Sequence, residues 1–391
     1  MIQRFGLEVA GGAELHCRLL ARALAKEHTV SVETTTALDY VTWQNHYPPG
    51  PAEVDGIRLT RHPVTAERSE RRFALLSDRV FHEDHTRKDE ELWVRENGPL
   101  SPALLRSVEA RRDVDLFVFY CYRYYPSFFG LPKVAERAIL VPTAEEDPAI
   151  RLPIFEELLR APRGMLYLTP EERSLVQGVS KNASVPSLVI GSGVEVPQGA
   201  AAIDARARFS LPERYLLYVG RIDRNKGVDR LCHYYRELLK EREDVPLLVL
   251  AGKPVLKITD PRIRVLGFVS EEEKFALLDG CDLLLMPSPY ESLSIIALEA
   301  WATGKPLLAN AECAVLEGQC TRSGGGLYYR GYREFAECLA RLLDDAPLRT
   351  KLGRSGRGYV ERGSTWEQVA RRTSDFLRSL EASADPTPAR P

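Results

Sequence analysis

In the second half of the chain, short apolar runs alternate with amphipathic segments, and this alternation restricts the fold more than any other feature. Runs at 215–219, 247–251, 263–266, 283–286 and 306–309 read as strands, and segments near 228–241, 271–280 and 294–302 read as helices. Strands that are apolar at nearly every position are buried on both faces, and intervening helices bring each new strand back in parallel. The series predicts a doubly wound sheet whose ligands sit beyond the carboxyl ends of its strands. Two helices, near 332–344 and 347–361, close this domain.

The first half carries the same alternation less clearly. Gly11-Gly12-Ala13-Glu14 opens an amphipathic helix with Leu15, Leu19, Ala23 and Leu24 on one stripe. Strands follow at 29–35, 115–120 and 138–141, and residues 65–112, rich in charge and arginine, predict exposed helices over one side. Only five residues precede the loop at 6–12, where a Rossmann-like half begins with a full strand. An empty central slot would leave backbone groups unpaired on both neighbours, so the first strand reads as missing, with either a native start upstream or a truncated chain. The predicted organisation is a first domain at 1–194, a linker at 195–204 and a second domain at 205–365. A helix at 366–381 crosses back to the first domain, and 382–391 form a disordered tail.

Two loops at predicted strand ends carry the chemistry. Gly220-Arg-Ile-Asp-Arg-Asn-Lys-Gly227 offers the cations Arg221 and Lys226; Pro287-Ser-Pro-Tyr-Glu-Ser and its following helix offer Glu291 and Glu299, seven residues apart. Cations suit a diphosphate and carboxylates suit sugar hydroxyls, so together they describe a nucleotide-sugar site. Arg221 can fork two oxygens and Lys226 acts as a point charge, which makes a metal dispensable. The helix expected to start near Ser294 adds free backbone N–H groups and a positive dipole end. A net charge of −2 argues against a general nucleic-acid binder, and no apolar run reaches the roughly 18 residues that span a bilayer. Seven scattered cysteines without a Cys-x-x-Cys pair read as reduced thiols of a cytoplasmic protein.

These segments, with Glu299-Ala-Trp-Ala-Thr-Gly304-Lys-Pro306, resemble the signature of glycosyltransferase family 4, retaining enzymes of the GT-B fold. The resemblance implies two Rossmann-like doubly wound domains facing across a cleft that holds the active site. The second domain takes the donor and the first positions the acceptor. It implies that Arg221, Lys226 and Glu291 act in catalysis, with Glu291 holding hydroxyls of the transferred sugar. Gly11, Gly12, Gly220, Ser292, Leu293, Ser294 and Glu299 bind the donor, Glu299 through the ribose hydroxyls. The implied reaction moves a hexose-type sugar from a nucleoside-diphosphate sugar to an acceptor hydroxyl without a metal or other cofactor, in glycan or polysaccharide biosynthesis. The acceptor is a glycan or a lipid-linked molecule, reached in the cytoplasm at the inner face of the membrane through peripheral contact by the helices of 65–112. Where family members often carry a histidine in a first-domain loop, the segment 142–148 holds Glu145.

A non-catalytic GT-B protein that binds a nucleotide sugar or a glycan is the alternative reading, and an epimerase on a related fold is a third. His82 and His85 have helix-face metal spacing without a third ligand, so a solvated helix face is expected. Asp113-Val-Asp115 reads as a turn into a strand, and the aromatic run at 120–129 as core packing.

Overall fold

The computed structural model describes residues 1–9 and 11–382, and the chain divides into two units, 1–191 with the helix Trp366–Ala382 and 192–365. The tail expected from 382 onward lies, beyond that residue, outside the described residues. Among the described residues no helix is long and apolar enough to cross a membrane.

The first unit holds β1 (Ser31–Thr35), β2 (Gly50–Val54), β3 (Ile57–His62), β4 (Phe117–Tyr120), β5 (Ala138–Val141), β6 (Gly164–Tyr167) and β7 (Ser187–Val189). They form two sheets, β1-β3-β2 and β4-β5-β6-β7. All pairs are parallel except β2 and β3, an antiparallel hairpin that departs from the expected pattern. Asp55 and Gly56, at φ 55° and 75°, make its two-residue turn. An Asp-Gly pair suits that turn because both central residues need positive φ.

The slot expected to be empty is partly filled. Ile2 N–H donates to the Glu33 carbonyl of β1 (3.3 Å), and Tyr120 N–H of β4 donates to the Met1 carbonyl (3.0 Å). The Met1 ammonium donates to Val118, and the Thr35 hydroxyl donates to the Gln3 carbonyl (2.6 Å). Residues 1–3 thus bond to both β1 and β4 and pair some of the backbone groups on the two inner edges, without forming a strand.

The arginine-rich region forms the helices Glu70–His82, Arg87–Asn97 and Pro102–Ala110, and these are not simply exposed. Arg87–Asn97 buries Trp93, Val94, Glu90 and Glu96, and its Trp93 ring packs edge-on to Phe155 at 6.3 Å. The helix Trp366–Ala382 belongs to this unit. It buries Val369, Thr373, Leu377 and Leu380, and Ser374 meets His28 Nε2 at 2.8 Å.

The second unit is one six-stranded parallel sheet of β8 (Tyr215–Val219), β9 (Leu247–Ala251), β10 (Ile263–Gly267), β11 (Leu283–Met286), β12 (Leu307–Asn310) and β13 (Gly326–Tyr329). Its order is β10-β9-β8-β11-β12-β13. Strand order reverses between β8 and β11, which opens a crevice at their carboxyl ends. Tyr215, Leu216 and Leu217 of the central strand are fully buried. Each such leucine contributes about 1.5–3 kcal/mol of burial. One face of the sheet packs against Phe275, Leu298 and Trp301, the other against Tyr235, Phe335 and Leu339. Sequence periodicity missed β13 and the helix Ala314–Ser323. Three glycines blur the start of the strand, and the helix mixes polar with apolar residues around its circumference. Residues 195–204, expected as a linker, lie in this unit: Ala200 joins its core and Asp204 caps the helix Ala205–Phe209.

Candidate functional site

The loops after β8 and β11 leave the sheet on either side of the reversal point. In the first, Ile222 is fully buried and bonded to the loop after β9, its N–H donating to the Lys253 carbonyl (3.0 Å). Arg221 and the buried Asp223 flank that anchor. Asp223 organises the cations: Oδ1 accepts from the Lys226 backbone N–H (2.9 Å) and Oδ2 lies 3.4 Å from an Arg221 guanidinium nitrogen. The Tyr218 hydroxyl donates to the Arg221 carbonyl (2.7 Å). Gly220, at φ 150°, faces the loop after β9 so closely that a Cβ on Gly252 would lie 1.8 Å from its oxygen.

Gly227 ends this loop and starts the helix Val228–Glu241. Its φ is 69°, and a Cβ there would lie 2.4 Å from the Pro287 carbonyl oxygen. Only glycine lets the two loops touch. The contact brings Lys226 to Glu291, Nζ to Oε1 at 2.8 Å, with a longer bond from Nζ to the Tyr290 carbonyl (3.4 Å). Asn310, at the end of β12, supports the second loop by donating to the Pro287 carbonyl (3.2 Å).

The helix after β11 spans Ile295–Ala302, with Ser294 as its N-cap. Ser294 itself is tied into the fold. Its N–H donates to Gln319 Oε1 (3.1 Å), and its hydroxyl accepts from Ala297 N–H (3.3 Å), so both groups serve the fold. Leu293 is half-buried against the core, and Ser292 is half-buried on the loop.

Glu299 has a partner 25 residues away in the chain. Lys274, on the helix Glu271–Gly280, places Nζ 2.8 Å from Glu299 Oε1 and 2.8 Å from Glu271 Oε2. Burial raises the Glu299 pKa while Lys274 opposes the rise. Burial alone would lower the Lys274 pKa, but Glu299 and Glu271 outweigh it and raise it. Lys274 therefore stays protonated and pairs with the Glu299 carboxylate.

Gly11 and Gly12 belong to the first unit, as N-cap and first residue of the helix Gly12–Leu24. The neighbouring charges are tied to each other: Arg4 donates from Nε (2.9 Å) and Nη2 (2.5 Å) to Glu14 Oε1, which also accepts from Gln3 Nε2 (3.1 Å). The segment 142–148 is fixed from behind by Glu172, whose carboxylate accepts from the N–H groups of Ala144 (2.7 Å) and Leu168 (2.6 Å). Burial pushes the Glu172 carboxyl up to about 8, against the pull of those backbone donors. Glu145 follows Ala144 on this segment, and Arg123 pairs with Asp147 at 2.5 Å. His85 bonds to Glu90 (3.1 Å) and Asp113 to Arg111 (2.8 Å). Tyr122, of the aromatic run, packs edge-on to Phe155 at 4.8 Å, and Tyr120, Tyr122 and Tyr125 are buried.

Residues 201–359 match the family "Glycosyl transferases group 1". A D-inositol 3-phosphate glycosyltransferase of Corynebacterium urealyticum is 28% identical over 213 residues, 48% of this chain and 49% of that protein. The chain spans about half the length of the curated relatives it matches. Sucrose-phosphate synthase from Thermosynechococcus elongatus superposes with a TM-score of 0.71 at 20% identity, covering 98% of this chain and 99% of that one. Anabaena Alr3699/HepE, solved with UDP and glucose, superposes with a TM-score of 0.66 at 14% identity, covering 97% of this chain and 100% of that one. The fold is GT-B, built of two Rossmann-like α/β units.

Proposed function

We propose that the protein is a retaining glycosyltransferase that moves a hexose-type sugar from a nucleoside-diphosphate sugar to an acceptor hydroxyl, without a metal. One observation carries the reading: the loops after β8 and β11, on either side of the reversal point where such folds bind ligands, are joined by the Lys226–Glu291 ion pair. The family match over residues 201–359 supports it, as does the UDP and glucose held by the Anabaena protein.

Arg221 and Lys226 take the diphosphate oxygens on which charge develops as the C1–O bond breaks. Glu299 accepts from the ribose hydroxyls and Glu291 from hydroxyls of the sugar. The acceptor oxygen bonds to C1 on the face the phosphate leaves, and its proton passes to the leaving phosphate oxygen. The acceptor is a glycan or lipid-linked hydroxyl in glycan or polysaccharide biosynthesis.

A thermal-shift panel of UDP-, GDP-, ADP- and dTDP-sugars tests this reading. One donor class should raise Tm, since ligand at 100 times Kd stabilises by about 2.7 kcal/mol. Slow hydrolysis of the stabilising donor without acceptor should follow. If no donor stabilises the protein, the reading falls; stabilisation without any hydrolysis or transfer would leave a binding protein in its place.

A further inference from the structure

We propose that the Lys226–Glu291 ion pair makes this site select the intact donor over the nucleoside diphosphate it releases. The inference rests on the donor-site reading above and concerns which of two ligands the site prefers. Glu291 Oε1 sits 2.8 Å from Lys226 Nζ, so this carboxylate and a phosphate oxygen would compete for one ammonium. The side chains of Lys226 and Glu291 are 24% and 13% exposed, so water covers neither well.

The loop geometry fixes what can move. Lys226 is held at its backbone by Asp223, and the adjoining Gly227 is pressed on Pro287, so the exchange takes place at side-chain level. A diphosphate arriving at Lys226 takes the ammonium and displaces the Glu291 carboxylate. A displaced, poorly hydrated carboxylate needs new donors, and leaving it without them is unfavourable. The intact donor carries those donors as hydroxyls of its sugar. The bare diphosphate carries none and adds its own negative charge beside Glu291. The pair therefore raises no barrier to the donor but weakens the product, which favours release after transfer.

The test is a binding cycle by isothermal titration on the full chain, using UDP with UDP-glucose and GDP with GDP-mannose. In Glu291→Gln, the nucleoside diphosphate that wild type binds should bind about tenfold tighter, while the sugar nucleotide should not gain. In the Lys226→Ala background, adding Glu291→Gln should leave diphosphate affinity nearly unchanged. A gain that persists without Lys226 would mean plain repulsion by Glu291 and would overturn the exchange. Equal or weaker diphosphate binding in Glu291→Gln would overturn it too. If wild type binds neither diphosphate nor sugar nucleotide, the donor-site reading itself fails.

Discussion

At the carboxyl end of the second sheet, Lys226 and Glu291 meet across two loops, partly open to water. At the corresponding end of the first unit, Arg4 and Glu14 are both more than nine-tenths buried and joined by several hydrogen bonds. Both are lysine- or arginine-carboxylate pairs beside a glycine-led helix, yet their environments differ. A pair at the rim of two loops can exchange its carboxylate for a ligand of like charge, provided the ligand brings donors for the displaced group. A buried, multiply bonded pair is strongly held, since breaking it strands a desolvated charge. The contrast separates charges that meet ligands from charges that hold loops in place, and residue type alone does not make that distinction.

Glu299 is where the two kinds overlap, and it gives the largest expected effect. It is assigned a ligand role, yet it is also the partner of the buried Lys274. Glu299→Ala should lower stability by about 3–5 kcal/mol, because Lys274 loses most of its compensation. Replacing both residues, as Lys274→Met with Glu299→Leu, should recover most of that loss while donor binding stays absent. Chemical denaturation of the three proteins measures the first quantity and titration with the donor the second. If Glu299→Ala is as stable as wild type, Lys274 does not depend on it.

Arg221 tests the other side of the comparison. Its guanidinium is 38% exposed and its ion pair with Asp223 is long, at 3.4 Å. Arg221→Ala should reduce kcat by about 10²–10³-fold, as expected for removal of one donor to a developing oxyanion. Stability should move by less than about 1 kcal/mol, the range of exposed pairs. Undiminished turnover would remove Arg221 from the diphosphate site. A somewhat smaller effect is expected at Glu172, in the first unit. Glu172→Ala leaves the buried N–H groups of Ala144 and Leu168 without their acceptor and should destabilise by roughly 2–3 kcal/mol. Faster amide exchange at Ala144 than in wild type would locate the loss on the segment carrying Glu145.

The second unit was legible because its strands are buried on both faces and its key loops announce themselves in short segments. Local signals such as Gly227, Asp223 and the Ser294 cap lie within a few residues of the groups they serve. The partners that complete the site do not. Lys274 is 25 residues from Glu299, and Gln319 is 25 from Ser294, so only the fold pairs them. Ser294 shows the consequence: a distant amide side chain takes the N–H of the residue that caps this helix. In the first unit, the Asp55-Gly56 pair is a local turn signal, whereas the bridging role of residues 1–3 depends on β1 and β4 arriving on either side.

The smallest expected effect concerns acid. His233 is the only histidine in the second unit and its side chain is 65% exposed, whereas the first unit holds His16 fully enclosed. Nε2 of His16 lies 2.9 Å from the Gly191 carbonyl, which can only accept, so Nε2 carries the proton and Nδ1 accepts from the Tyr120 hydroxyl (3.0 Å). Burial lowers its pKa from 6.5 to about 4. The unfolded chain thus binds a proton that the folded one refuses between those values, and stability falls as pH drops through that window. Between pH 7 and 5.5 the loss amounts to about 1 kcal/mol from this group. His16→Gln retains a donor for Gly191 and removes the titration, so its stability should fall less over the same range. Acid-induced exchange in wild type should appear first at amides of the first unit. Parallel pH profiles for the two proteins would show that His16 is not the source.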